Sequence, residues 1–99
     1  MSSLSGLDPV VHPIPRLRIC VLLDPVTEEE FATLRDLLHT SDSALSKQLS
    51  ALSETGYVSQ RRAVRDGRSR VWVRLTTAGR RAFRHHVAAL AALVPPDGE

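Results

Sequence analysis

The side chains best suited to chemistry in this 99-residue chain are its arginines, and the chemistry they offer is the gripping of anions. Residues 61–99 carry nine arginines against Asp66, Asp97 and Glu99, a balance of +6, while residues 1–60 carry four basic and eight acidic residues, a balance of −4. A guanidinium presents a planar fork of donors that matches phosphate, so this polarity implies an anionic partner for the second half of the chain. Twelve of the thirteen basic residues are arginine, which a GC-rich genome would also favour, but a base bias does not cluster them. Arg61, Arg65, Arg68 and Arg70, with Arg62 beside them, crowd around Asp66-Gly67. A second set lies in "SDSALSKQ", where Ser41, Asp42, Ser43, Ser46, Lys47 and Gln48 offer short polar groups that let another surface come close.

Other chemistry finds little support. His12, His39, His85 and His86 are scattered, and the adjacent pair would point about 100° apart on a helix, a poor geometry for two ligands of one metal. Cys20 is the only cysteine and lies in the apolar run "LRICVLL", which excludes an internal disulfide and implies a buried thiol. No serine sits in a nucleophile-elbow pattern and no glycine-rich phosphate loop occurs. The expectation is a protein that is not an enzyme, with no cofactor and no metal.

These groups need elements to position them. "LDPVVH" reads as a short helix ended by Pro13 and Pro15, and a buried helix starts near Pro15, carries Leu17, Ile19, Cys20, Leu22 and Leu23, and stops near Asp24-Pro25. In "TEEEFATLRDLLH", Thr27 and Glu30 have capping-box spacing and Glu28 to Glu30 fall on the positive end of the helix dipole, with Phe31, Leu34, Leu37 and Leu38 facing inward. Ser41 then caps a helix with the stripe Leu45, Leu49, Leu52, and Gly56 stops it. "YVSQRRAV" and "SRVWVRLT" read as strands joined at Asp66-Gly67, a strong hairpin signal. Thr76 or Thr77 caps a last helix that Pro95-Pro96 closes.

At 99 residues, 42% hydrophobic and 24% charged, the chain fits one small globular domain, with no apolar run long enough to span a bilayer. Residues 1–6 read as a flexible N-terminus, 7–94 as the domain and 95–99 as a flexible tail. The N-terminus lacks an export signal, so a cytoplasmic location and no membrane partner are expected. Phe83, Val87, Leu90 and Val94 line one side of the last helix, between alanines. Packing this side on a second copy, with Leu7, Val10 and Val11 of the N-terminal segment, would bury it and make a homodimer.

Helices, a helix-turn-helix, a hairpin and a final helix in that order make an α+β winged helix-turn-helix, mostly helical with a two-stranded β-hairpin wing. In such a fold one helix docks in the DNA major groove while the hairpin reaches an adjacent groove or the backbone. "LDPVVHPIPRLRICVLL", "FATLRDLL", "ALSKQLSALSETGYV" and "RVWVRLTTAGRRAF" resemble the small winged-helix transcriptional regulators related to the MarR and ArsR groups. The most specific pieces are L-S-x-x-L-x-x-L-x-x-x-G-Y-V, Leu45 to Val58, and L-T-x-x-G, Leu75 to Gly79. The resemblance spans about Leu7 to Leu93. It implies a regulator of transcription that binds double-stranded DNA, usually as a homodimer, with residues 42–55 as recognition helix and 61–74 as wing. The ArsR cysteine-rich metal motif is absent, so metal sensing does not carry over. Which small molecule, if any, acts as effector is left open. The rival readings are a winged-helix module that binds proteins without DNA specificity of its own, and an RNA-binding winged helix.

Overall fold

The computed structural model describes residues 6–94. Its elements are α1 (Ile14–Leu23), β1 (Glu29–Glu30), α2 (Phe31–Leu37), α3 (Asp42–Glu54), β2 (Val58–Arg65), β3 (Arg68–Leu75) and α4 (Thr77–Ala92). The three strands form one antiparallel sheet in the order β1-β3-β2. Residues 1–5 and 95–99, most of the segments expected to be flexible, lie outside the described residues. No helix among the described residues is long and apolar enough to cross a membrane.

The helix ends follow local chemistry. Pro13 precedes α1 and Pro15 occupies its first turn, where a missing N–H costs nothing. Ser41 caps α3 by accepting a bond from the Ala44 amide at 3.1 Å, and Gly56 leaves the helix at φ +79°. Thr76 caps α4 by accepting from the Gly79 amide at 3.0 Å. Asp66 and Gly67 both have positive φ, 53° and 73°, the pairing that a tight hairpin with right-handed strand twist demands.

Two expectations about the first thirty residues are corrected. "LDPVVH" is a single turn, closed by the His12 amide on the Asp8 carbonyl at 2.8 Å. Asp8 Oδ1 takes up the Val10 and Val11 amides at 2.8 and 3.2 Å, and Pro13 offers no N–H to continue. Thr27 and Glu30 do not form a capping box. Helix α2 begins only at Phe31 and has no side-chain cap bond, because Glu29 and Glu30 instead pair with Val73 and Trp72 as the short edge strand β1. The sheet therefore has a third strand beyond the expected hairpin, and the glutamates serve it rather than a helix dipole.

The core joins Ile19, Cys20 and Leu23 of α1, Leu34 of α2, Leu45, Leu49 and Leu52 of α3, and Val58, Val73 and Leu75 of the sheet. Val11 and Phe83 belong to it as well, at 0% and 7% exposure, which removes both from the expected dimer face. The turn at Asp8 folds Val11 inward, and α4 presents Phe83 and His86 to its own protomer. Burial pushes the Cys20 thiol up to about 11, with Asp8 and Asp24 adding to it, so the thiol is inert at neutral pH.

Candidate nucleic-acid interface

Helix α3 turns its leucine stripe inward and so must turn Ser43, Ser46, Lys47 and Ser50 outward, where all four are exposed. Ser41 is held by its capping bond. Asp42 accepts from Arg35 Nη1 at 2.9 Å, and Gln48 Oε1 accepts from Arg16 Nη1 at 3.1 Å. These two residues clamp α3 to α2 and to the start of α1. The outward face carries short hydroxyls, the Lys47 ammonium and, at its C-terminal end, the exposed Glu54 carboxylate, a surface of low bulk.

The hairpin sorts its arginines by strand alternation. Residues 61, 63 and 65 of β2 and 68, 70, 72 and 74 of β3 share one face, since Arg61 stands opposite Trp72, Ala63 opposite Arg70 and Arg65 opposite Arg68. The other face carries Val58, Val73 and Leu75 into the core and, further out, Gln60, Arg62, Val64 and Ser69. Gln60 Nε2 reaches Ser53 Oγ of α3 at 3.5 Å, which places this second face on the side of α3.

The arginines also differ in their partners. Arg61 forks onto Glu28, with Nε donating to Oε2 at 3.0 Å and Nη2 to Oε1, and its guanidinium carbon sits 5.8 Å from the Trp72 ring centre. That hydrogen bond holds the Glu28 carboxyl below its ordinary value and raises Arg61. Arg70 Nη1 donates to both Glu30 oxygens at 3.0 and 2.8 Å, while its Nε is buried without a partner among the described residues. Arg62 donates to Ser69 Oγ at 3.0 Å. Arg65 and Arg68 flank the tip, exposed, with no acidic partner among the described residues. On α4, Arg80 and Arg84 share Asp24 and tie the last helix to the end of α1.

Sequence reasoning missed what holds several of the expected helix and wing residues. It also missed a polar cluster under α4. His12 and His86, read as scattered, meet with Nδ1 of His12 3.3 Å from Nε2 of His86. The Asp8 amide donates to His86 Nδ1 at 2.8 Å, and the Tyr57 hydroxyl to Asp8 Oδ2 at 2.6 Å. An acceptor Nδ1 is bare, so His86 is neutral here and carries its hydrogen on Nε2. Only chain separation hid this set: the two histidines are 74 positions apart. Among the described residues, no three His, Cys, Asp or Glu side chains gather as a metal-binding group.

A family model described as a winged helix DNA-binding domain matches residues 16–94. An uncharacterized protein of Methanocaldococcus jannaschii is 29% identical over 84 residues, covering 85% of this chain and 91% of its own. A transcriptional regulator homologue from Pyrococcus horikoshii OT3 superposes with a TM-score of 0.81 at 23% identity, over 85% of this chain and 83% of that one. ZitR of Lactococcus lactis, a zinc-responsive MarR family member, superposes with a TM-score of 0.61 at 24% identity, over 79% of this chain and 53% of its own. The match over most of the helices and the hairpin settles the family: the chain belongs to the winged helix DNA-binding domains, a non-enzymatic DNA-binding protein with the fold of MarR-type regulators.

Proposed function

We propose that this protein is a homodimeric, sequence-specific regulator of transcription that docks α3 in the major groove and lays its wing on the backbone or minor groove. The observation that carries this reading is the outward face of α3, where Ser43, Ser46 and Lys47 are exposed and Ser43 is engaged only with the neighbouring Ser41 hydroxyl among the described residues, together with a hairpin tip bearing Arg65 and Arg68. A rigid helix with small donors can reach base edges, and long arginine side chains on an exposed tip can reach phosphate. Asp42 and Gln48 act in this reading by fixing the helix through Arg35 and Arg16. Similar structures described as transcriptional regulators support the same role.

Helix and wing variants are expected to fail differently. Lys47→Ala and Ser43→Ala should change the preference between a selected and a scrambled duplex by about 1 to 3 kcal/mol. Arg68→Ala should weaken both duplexes alike and flatten the slope of log K against log salt by about one unit. Anisotropy titrations at several salt concentrations separate the two. Equal effects of helix and wing variants on both duplexes would mean that α3 does not read bases. Preference for structured RNA, or a protein partner captured without any duplex affinity, would favour the rival readings.

The homodimer follows from the last turns of α4. Residues 88–94 are all apolar, yet none is buried, and Val87, Leu93 and Val94 are exposed. A helix that is apolar on every side needs cover on every side. We assign that cover to the same helix of a second copy, with Leu90 at its centre, Val87 and Val94 on either side, and Leu7 and Val10 at its edge. Light scattering should find wild type dimeric and Leu90→Glu monomeric at low micromolar concentration; a variant that stays dimeric would refute this interface.

A further inference from the structure

Two of the wing's guanidinium groups already have anions. Glu28 meets Arg61 with both carboxylate oxygens, and Glu30 places both oxygens on Arg70. The second pair is the more sheltered, with the Glu30 side chain 18% and the Arg70 side chain 39% exposed. Both glutamates belong to the segment that forms and precedes β1, and the register of β1 on β3 sets Glu30 beside Trp72, which in turn stands opposite Arg61. Arg61, Trp72, Glu30 and Arg70 therefore make one cluster on the outer face of the sheet. The face that leads from α3 carries Gln60, Arg62, Val64 and Ser69 instead. Among the described residues Arg62 has only the neutral Ser69 hydroxyl as a partner, which leaves most of its five donors unused.

Resting on the DNA-binding reading above, we propose that Glu28 and Glu30 withhold Arg61 and Arg70 from the duplex, leaving Arg62 and the tip arginines Arg65 and Arg68 to make the wing's phosphate contacts. The argument is the occupancy of these two guanidinium groups. A phosphate that approached Arg61 or Arg70 would have to displace a carboxylate already in place and would meet its negative charge. The effect is on specificity. Each phosphate contact releases close to one counterion and binds every sequence alike, so withholding two arginines lowers the background affinity and leaves base reading by α3 untouched. Glu28 and Glu30 are then positioning residues that act on DNA only through the arginines they hold.

The test is the salt dependence of binding to a short scrambled duplex, between about 50 and 200 mM salt, for wild type, Arg61→Ala, Arg70→Ala, Arg62→Ala, Glu28→Gln, Glu30→Gln and Glu28→Gln/Arg61→Ala. Arg61→Ala and Arg70→Ala should leave the wild-type slope unchanged, whereas Arg62→Ala should flatten it by about one unit. Each glutamine variant should steepen the slope by about one unit and tighten scrambled-duplex binding roughly threefold to tenfold at the lower salt. Adding Arg61→Ala to Glu28→Gln should cancel that gain, which a merely structural role for Glu28 would not do. Circular dichroism checks that Glu30→Gln keeps its edge strand, and the more exposed Glu28 pair gives the answer independently if it does not. A flattened slope in Arg61→Ala and Arg70→Ala, or glutamine variants that bind the scrambled duplex as wild type does, would overturn the proposal with DNA binding intact. A wild type that bound no duplex at the lowest salt would overturn the DNA-binding reading itself, and this one with it.

Discussion

Gly79→Ala is expected to destabilise the protein by about 3 kcal/mol or more, one of the largest effects of any single added carbon in this chain. A Cβ at this position would stand 2.0 Å from the Tyr57 carbonyl oxygen and 2.7 Å from its carbonyl carbon. Neither side can withdraw cheaply. The Tyr57 carbonyl accepts the Thr76 amide at 3.0 Å, the Thr76 hydroxyl donates to the Gly56 carbonyl at 2.6 Å, and the Gly79 amide is bound to the Thr76 oxygen. Opening the gap would thus break the start of α4, the stop of α3 and the base of the hairpin together. Urea unfolding reads the effect, and a drop in Tm of about 12 °C or more should accompany it in a domain of this size. A loss below about 1 kcal/mol would show that α4 can lift from the strand without disturbing its neighbours. The motif L-T-x-x-G has its physical content here: a cap at Thr76 and a helix–backbone contact too close for any side chain.

Asp8→Ala is expected to cost about 2 to 4 kcal/mol, because one partly exposed carboxylate receives the Tyr57 hydroxyl and the amides of Val10 and Val11. Its loss frees the turn that carries Val11 into the core. The pH dependence has a defined sign. Burial raises the Asp8 pKa, but the Tyr57 hydroxyl, the two amides and nearby His86 outweigh it and hold the group below its ordinary 3.8. Its contribution is therefore present above about pH 3.8 and is lost as pH falls through the folded value. His86 is also depressed, by burial first and His12 second, with Asp8 opposing. For a histidine this means that the unfolded chain binds the proton first, so stability is full above about pH 6.5 and declines as pH falls toward the folded value. Wild type should lose stability on acidification in two stages, and Asp8→Ala should lack the lower one. A wild type equally stable at pH 7 and pH 5 would contradict the neutral, hydrogen-bonded His86 described above.

What could be read from the sequence was what is decided within a few residues. The stripe Leu45, Leu49, Leu52, the cap at Ser41, the stop at Gly56 and the Asp66-Gly67 turn each depend on local spacing and backbone conformation, and each stands where expected. The errors arose where distant partners decide. Thr27 and Glu30 have the spacing of a capping box, yet backbone pairing with β3 and two arginines across the sheet hold this segment extended. Val11 and Phe83 are apolar at fitting positions, but an apolar stripe does not say whether its cover is the same chain or another copy. The candidate interface was legible as a set of residue types. Which arginines were already engaged was not, because an ion pair between residues 28 and 61 leaves no periodic trace.

Trp72 is the chain's single tryptophan, and it lies on the wing between Arg61 and the edge strand, away from the helical core. The molecule therefore contains an optical probe of its sheet that is blind to most of its helices. Indole emission reports the hairpin while far-ultraviolet dichroism reports the helices, without any label. Where the two melting curves coincide, wing and helices unfold as one cooperative unit; where emission changes first, the wing opens at lower free energy than the body that carries it.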